Sequence, residues 1–131
     1  MTLPAIILNE PYATKVMTGE KFIETRMRRF SFTGDILICC DKGKSKDSVN
    51  AGKALCVVYW NAGIPMTEEH EQGACIECVP GRYAFPLSNR RLLSYNFEIS
   101  KYVVTKNFQG IFEVRIPDFV TINPTSPTNN H

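Results

Sequence analysis

The sequence predicts a mainly β, α+β domain: a small mixed β-barrel carrying two or three short helices. Three observations predict it. Six or seven segments of strand length are apolar or alternate apolar with polar, and Gly, Pro, Asn or Asp bound them. Helical punctuation occurs in two places and is short in both. Helices do not follow each strand, which excludes a doubly wound parallel sheet. The chain has 131 residues, 44% hydrophobic and 21% charged, ordinary globular usage and enough to enclose one core without staples. One domain is expected over residues 1–117, followed by an extended or disordered tail over 118–131, where Pro124, Pro127 and several Asn and Thr residues collect.

Residues 5–8 (AIIL) form the first apolar strand signal. Asn9 is placed to cap a helix and Pro11 to sit in its first turn, where a missing donor is harmless. Tyr12, Ala13, Val16 and Met17 then fall on one helical face, and Gly19 ends the helix in a left-handed conformation. Residues 22–27 alternate as a strand: Ile23, Thr25 and Met27 on one face, Glu24 and Arg26 (and Arg28 beyond) on the other. A turn at Thr33, Gly34 and Asp35 leads into the near-continuous apolar run 36–40, the mark of a central strand. Residues 41–50 (DKGKSKDSVN) are an exposed loop, and 53–60 the next strand, closed at 62–65. Thr67 caps a second helix with Glu68, Glu69 and Glu71 in its first turn. Strands are further expected over 82–85, 95–104 and 110–116.

The formal charge of +2 is too small to drive nucleic-acid binding in bulk, so any such binding needs a local patch. No apolar run reaches the ~20 residues that span a bilayer. The first residues lack a basic stretch and meet Glu10 and Pro11 early, so a secretory leader is not expected. Five cysteines, an odd number with three inside strand runs, fit reduced thiols in a cytoplasmic compartment.

The segment Gly19-Glu20-Lys21-Phe22-Ile23-Glu24-Thr25-Arg26 is the most informative in the chain. It sets opposite charges where a loop feeds a sheet, a junction where unpaired charge is costly and where a phosphate, a base edge or a polarised carbonyl would be welcome. Lys21 is a phosphate contact, or a general base if burial lowers its pKa; its bland alternative is a solvated lysine or one bonding the last helical carbonyls. Glu24 and Arg26 share a strand face. As an exposed pair they contribute roughly 0–1 kcal/mol; in a cleft Glu24 accepts from an amine while orienting the Arg26 fork. Tyr83 and Phe85, and Tyr59 and Trp60, offer ring faces on which a base could stack. Each is more often core, and Tyr83 leads because its hydroxyl prefers a partly wet site. Lys42, Lys44, Lys46, Arg90 and Arg91 are second-tier backbone contacts whose commoner role is solvated charge. Cys75-x-x-Cys78 with His70 upstream lacks a second cysteine pair, so neither a metal nor another cofactor is expected.

These residues, in this order, resemble the ASCH domain, a branch of the PUA-like superfamily. The resemblance is carried by Gly19-x-Lys21-x-x-Glu24-x-Arg26, by residues 66–75, by 80–89 (PGRYAFPLSN) and by 107–112 (NFQGIF). It implies a β-barrel whose cleft is lined by the signature and a relation to RNA-binding modules. One branch of that family hydrolyses N4-acetylcytidine with a Lys and a Thr in a motif GxKxxTxR, aided by a downstream acid. Gly19, Lys21 and Arg26 match that form, but Glu24 stands where its Thr would be. Thr25 is adjacent and on the opposite face of a regular strand. The leading expectation is therefore an RNA- or nucleotide-binding module, regulatory or accompanying RNA modification, with Lys21, Glu24, Arg26 and Tyr83 as ligand contacts and no membrane partner. The rival is a small hydrolase of an acylated nucleoside or of RNA, with Lys21 as base and Glu24 activating water. A protein-interaction domain with a vestigial cleft is the third reading.

Overall fold

In a computed structural model, residues 1–106 and 110–125 are described, Lys106 by its backbone alone. The strands are β1 (Thr2–Leu8), β2 (Ile23–Arg26), β3 (Gly34–Cys40), β4 (Ala54–Trp60), β5 (Ile64–Pro65), β6 (Tyr83–Leu92), β7 (Val103–Lys106) and β8 (Phe112–Arg115); the α-helices are α1 (Tyr12–Thr18) and α2 (Glu71–Ala74). They form one mixed sheet in the order β2-β6-β4-β3-β1-β8-β7, with β5 also on β6. β1 and β3 run parallel and the other pairs antiparallel. The expected mainly β, α+β class is what the fold shows. The barrel is not closed: among the described residues β2 and β7 end the hydrogen-bonded path and do not pair.

The apolar run of β3 has a direct cause. Ile36, Ile38 and Cys40 face one core cluster with Ile6, Leu8, Val16, Trp60 and Phe85. Leu37 and Cys39 face a second, with Ala5, Val57, Phe97 and Val114. A strand buried on both faces cannot alternate apolar with polar. The first cluster centres on Phe30, Trp60 and Phe85, whose ring centroids lie 5.0–5.6 Å apart, so two of the aromatics considered for base stacking are core. A Cβ on Gly63 would come within 2.3 Å of the Phe85 ring, so glycine is what lets the chain pass there.

β6 is longer than the predicted 82–85. Its first half pairs with β2 and its second with β4, so one strand carries both ends of the curl. Pro86 does not interrupt it: it stays in register with Ile23 of β2, and its carbonyl accepts from the Asn61 backbone N–H (3.0 Å) and Nδ2 (2.9 Å). The single strand expected over 95–104 is instead a bridge at Glu98, a 3-10 turn at Ile99–Lys101 and then β7. Residues 107–109 of the segment 107–112 that carries the resemblance lie outside the described residues.

Past Pro117 the chain first turns at Asp118 and Phe119, where the Val120 N–H donates to the Pro117 carbonyl (3.0 Å), and then follows the sheet. Val120 is buried in the second cluster, Ile122 bridges Leu93, and the Asn123 N–H donates to the Leu92 carbonyl (2.8 Å). Among the described residues no helix is long and apolar enough to cross a membrane.

Candidate functional site

The site begins at the end of α1. Gly19 takes φ +89° and its N–H donates to the Val16 carbonyl, the left-handed stop expected of it. Lys21 N–H then donates back to the Lys15 carbonyl (2.9 Å), which turns the chain inward. The next contact comes from α2. Gly73 packs so closely on β2 that an added Cβ would sit 2.7 Å from the Phe22 ring and 2.8 Å from the Ile23 side chain. That approach lets the Gly73 carbonyl accept from the Phe22 N–H (2.9 Å) and brings the Ala74 carbonyl over Lys21.

Lys21 is 3% exposed, and its Nζ donates to the Ala74 carbonyl at 2.7 Å. The same Nζ lies 3.5 Å from Glu24 Oε1 and 5.2 Å from the Tyr12 ring centroid. Burial pushes the Lys21 ammonium below the usual lysine range, and the Glu24 carboxylate opposes that shift. Glu24 Oε2 accepts from Arg26 Nε at 3.0 Å, so one carboxylate joins two cations. The Arg26 side chain is 31% exposed, and only its Nε is engaged by Glu24.

These three heads line one hollow of ≈ 370 Å³, together with Asn9, Tyr12 and Arg82. The volume is at the lower end of ligand-sized clefts, about 300–1,000 Å³. Ile7, Met27 and Ile76 supply apolar wall beside the charges.

The structure therefore brings Lys21, Glu24 and Arg26 together. Tyr83 stands opposite Arg26 in the β2–β6 register but packs half-buried against the first core cluster and is not among the lining residues. Arg28 and Arg29 are exposed. Arg91 grips Asp35, and Arg90 Nη1 donates to the Met17 carbonyl at 2.7 Å, so both serve the scaffold. Lys42, Lys44 and Lys46 lie exposed on their loop. His70 Nδ1 accepts the Thr67 N–H (2.9 Å), a helix-start contact. Among the described residues no three His, Cys, Asp or Glu side chains gather as metal ligands.

Thr25, expected on the opposite face of the strand, also lines the hollow, and sequence reasoning missed three further parts of the site. Tyr12 read as core on an apolar helical face. Asn9 read as a cap, but Glu10 takes that work: its Oε1 accepts the Thr14 N–H at 2.8 Å. Arg82 read only as the start of a strand. It precedes Tyr83, the register partner of Arg26, so antiparallel pairing of β2 with β6 was the signal that would have found it.

No protein-family model matches the sequence, and no curated protein matches it. Among solved structures, a serine-to-alanine mutant of ZmASCH from Zymomonas mobilis matches with a TM-score of 0.50 and 17% identity, covering 91% of this chain and 86% of that one. An identity that low speaks for the backbone and not for the chemistry. The chain has an ASCH-like fold.

Proposed function

We propose that the hollow beneath β2 binds RNA or a nucleotide-like ligand, with Lys21, Glu24 and Arg26 as its contacts. The single observation that carries this reading is the convergence of an ammonium, a carboxylate and a guanidinium on one concave surface of nucleotide scale. A buried ion network is a poor device for stability alone, because desolvation offsets most of the attraction. Glu24 suits an exocyclic amine, and the free edge of Arg26 suits a phosphate or a base edge. The module would act in the cytoplasm: its five cysteines are unpaired, and burial pushes the Cys40 thiol up to about 11 and the Cys56 thiol up to about 12. Thiols so raised stay protonated and inert.

Fluorescence anisotropy with single-stranded and structured RNAs over a salt series tests the reading. Binding that weakens with salt and drops at least tenfold in Lys21→Ala/Arg26→Ala is expected. Affinity indifferent to both changes overturns it.

Hydrolysis of an acylated nucleoside is a second reading, favoured by the lowered pKa of Lys21 beside Glu24. A neutral Lys21 amine would take a proton from water as hydroxide adds to the acyl carbon, then return it to the departing amine. Incubation with N4-acetylcytidine, followed chromatographically, decides it. Turnover no faster than that of Lys21→Ala ends this reading for that substrate.

A further inference from the structure

The hollow holds more positive charge than its own acid can balance. Lys21, Arg26 and Arg82 face it and Glu24 alone opposes them, an excess of two positive charges among the lining residues. Arg26 Nε is spent on Glu24, and Lys21 on Glu24 and the Ala74 carbonyl. Arg82 differs. Its Nε is buried and has no hydrogen-bond partner, and among the described residues no carboxylate forms an ion pair with its guanidinium. A buried N–H left unmatched is costly in proportion to its charge. Its backbone is fixed: the Arg82 N–H donates to the Val79 carbonyl (3.2 Å), and its carbonyl accepts the Met66 N–H (2.9 Å). The head is therefore carried by an anchored chain, one residue before Tyr83, the register partner of Arg26 on β2.

We propose that Arg82 is the specificity contact of this hollow, and that the preferred guest is a phosphomonoester, a nucleotide or RNA end bearing a terminal phosphate. This rests on the proposed function, whose site it shares and whose ligand class it narrows. A phosphomonoester carries roughly −1.5 to −2 charge near neutral pH, against −1 for an internal phosphodiester and none for a nucleoside. A doubly charged group matches the excess, and its oxygens can accept from the Arg82 fork and the free edge of Arg26 at once. The apolar wall of Ile7, Met27 and Ile76 with the Tyr12 ring leaves room for the sugar or base.

The test compares one short oligoribonucleotide in three forms, with a 5′-phosphate, with a 3′-phosphate and with hydroxyls at both ends. Affinities are measured by titration calorimetry for the wild-type protein, Arg82→Gln and Arg82→Lys. At least tenfold tighter binding of one phosphorylated form is expected in the wild type. That preference should fall to about onefold in Arg82→Gln and be only partly kept in Arg82→Lys, which retains charge without the fork. Thermal melts confirm that each variant is folded, and a rise in the wild-type melting temperature with the phosphorylated oligonucleotide but not the hydroxyl form is a readout independent of either variant. Equal affinity for all three forms overturns this inference and leaves RNA binding standing, as does a preference unchanged in Arg82→Gln. Absence of binding by every form, by longer RNA and by nucleoside monophosphates removes both readings together.

Discussion

Glu10 and Glu24 flank the same helix, and each is held by several partners, yet they solve opposite problems. Glu10 is surrounded by neutral donors. Its Oε1 accepts the Thr14 N–H at 2.8 Å, while its Oε2 accepts Thr14 Oγ1 at 2.5 Å and Ser48 Oγ at 2.6 Å. Asn50 Nδ2 closes the set by donating to Thr14 Oγ1 (2.8 Å), and Ser45 Oγ accepts the Glu10 N–H (3.0 Å). A hydroxyl or a backbone N–H has one proton to give, and the Thr14 N–H and the Thr14 and Ser48 hydroxyls have given theirs to Glu10. Glu24 is surrounded by cations, which bring three to five donors apiece. One carboxylate cannot use them all, so protons and positive charge remain facing the hollow. The first network is complete without a guest and pins a lysine-rich loop to α1. The second is complete only with one.

The largest effect that would break this comparison is on stability at Glu24. Glu24→Ala leaves the Lys21 ammonium buried against a carbonyl and a ring, without its carboxylate. Breaking a buried pair from one side costs about 3–5 kcal/mol, read as a lower urea midpoint at neutral pH. Lys21→Met added to Glu24→Ala should recover much of that loss. The pH dependence carries a definite sign. Lys21 has a folded pKa below its unfolded one, so between those values the unfolded chain binds more protons and stability rises with pH. Glu24→Ala depresses the folded pKa further, which widens that window, so its deficit should shrink as pH is raised. A deficit that does not depend on pH means Lys21 is not the charge left uncompensated.

Glu10→Ala should sharpen the contrast by failing differently. Three hydrogen bonds at about 1 kcal/mol each are lost, some 2–3 kcal/mol in all, while RNA affinity at the hollow stays unchanged. Burial pushes the Glu10 carboxyl up, but the Ser48 and Thr14 hydrogen bonds outweigh it and hold the pKa below 4.5. Its contribution is therefore present above the ordinary carboxylate range and is lost as pH falls through the folded value. Glu10→Gln should abolish that share of acid sensitivity. Weakened RNA binding in either variant would join the two networks and dissolve the distinction.

What could be read in advance follows from how local each cause is. The stop at Gly19 was legible because a left-handed residue after a helix favours glycine over any side chain. β3 was legible because burial on two faces leaves an unbroken apolar run. The gathering of Lys21, Glu24 and Arg26 needed only a strand period and a helix end. The remainder depended on partners distant in sequence. The strand expected over 82–85 runs on through Pro86 because that residue keeps its place opposite Ile23 of β2. Asn9 reads as the cap because Ser48, 38 residues beyond Glu10, is invisible from the helix. Arg82 became a site residue only through the register of β6 on β2, and the open path between β2 and β7 is likewise a property of all the pairings together.

The smallest predicted effect supplies the reference for both carboxylates. Asp35, at the start of β3, meets Arg91 on β6 through two parallel contacts, Nη2 to Oδ1 at 2.6 Å and Nη1 to Oδ2 at 3.1 Å. The geometry is better than that of Glu24 with Arg26, but the Asp35 side chain is 43% exposed. Solvent screens such a pair, and its net value is roughly 0–1 kcal/mol. The Arg91 hydrogen bonds hold the Asp35 carboxyl below its ordinary 3.8, so what the pair contributes is present above that pH and fades as pH drops through the folded value. Asp35→Asn should therefore lower the urea midpoint only slightly at neutral pH and flatten the acid limb of the stability profile. If it destabilises as much as Glu24→Ala, burial is not what separates the two pairs, and the charge excess facing the hollow loses its physical basis as a ligand demand.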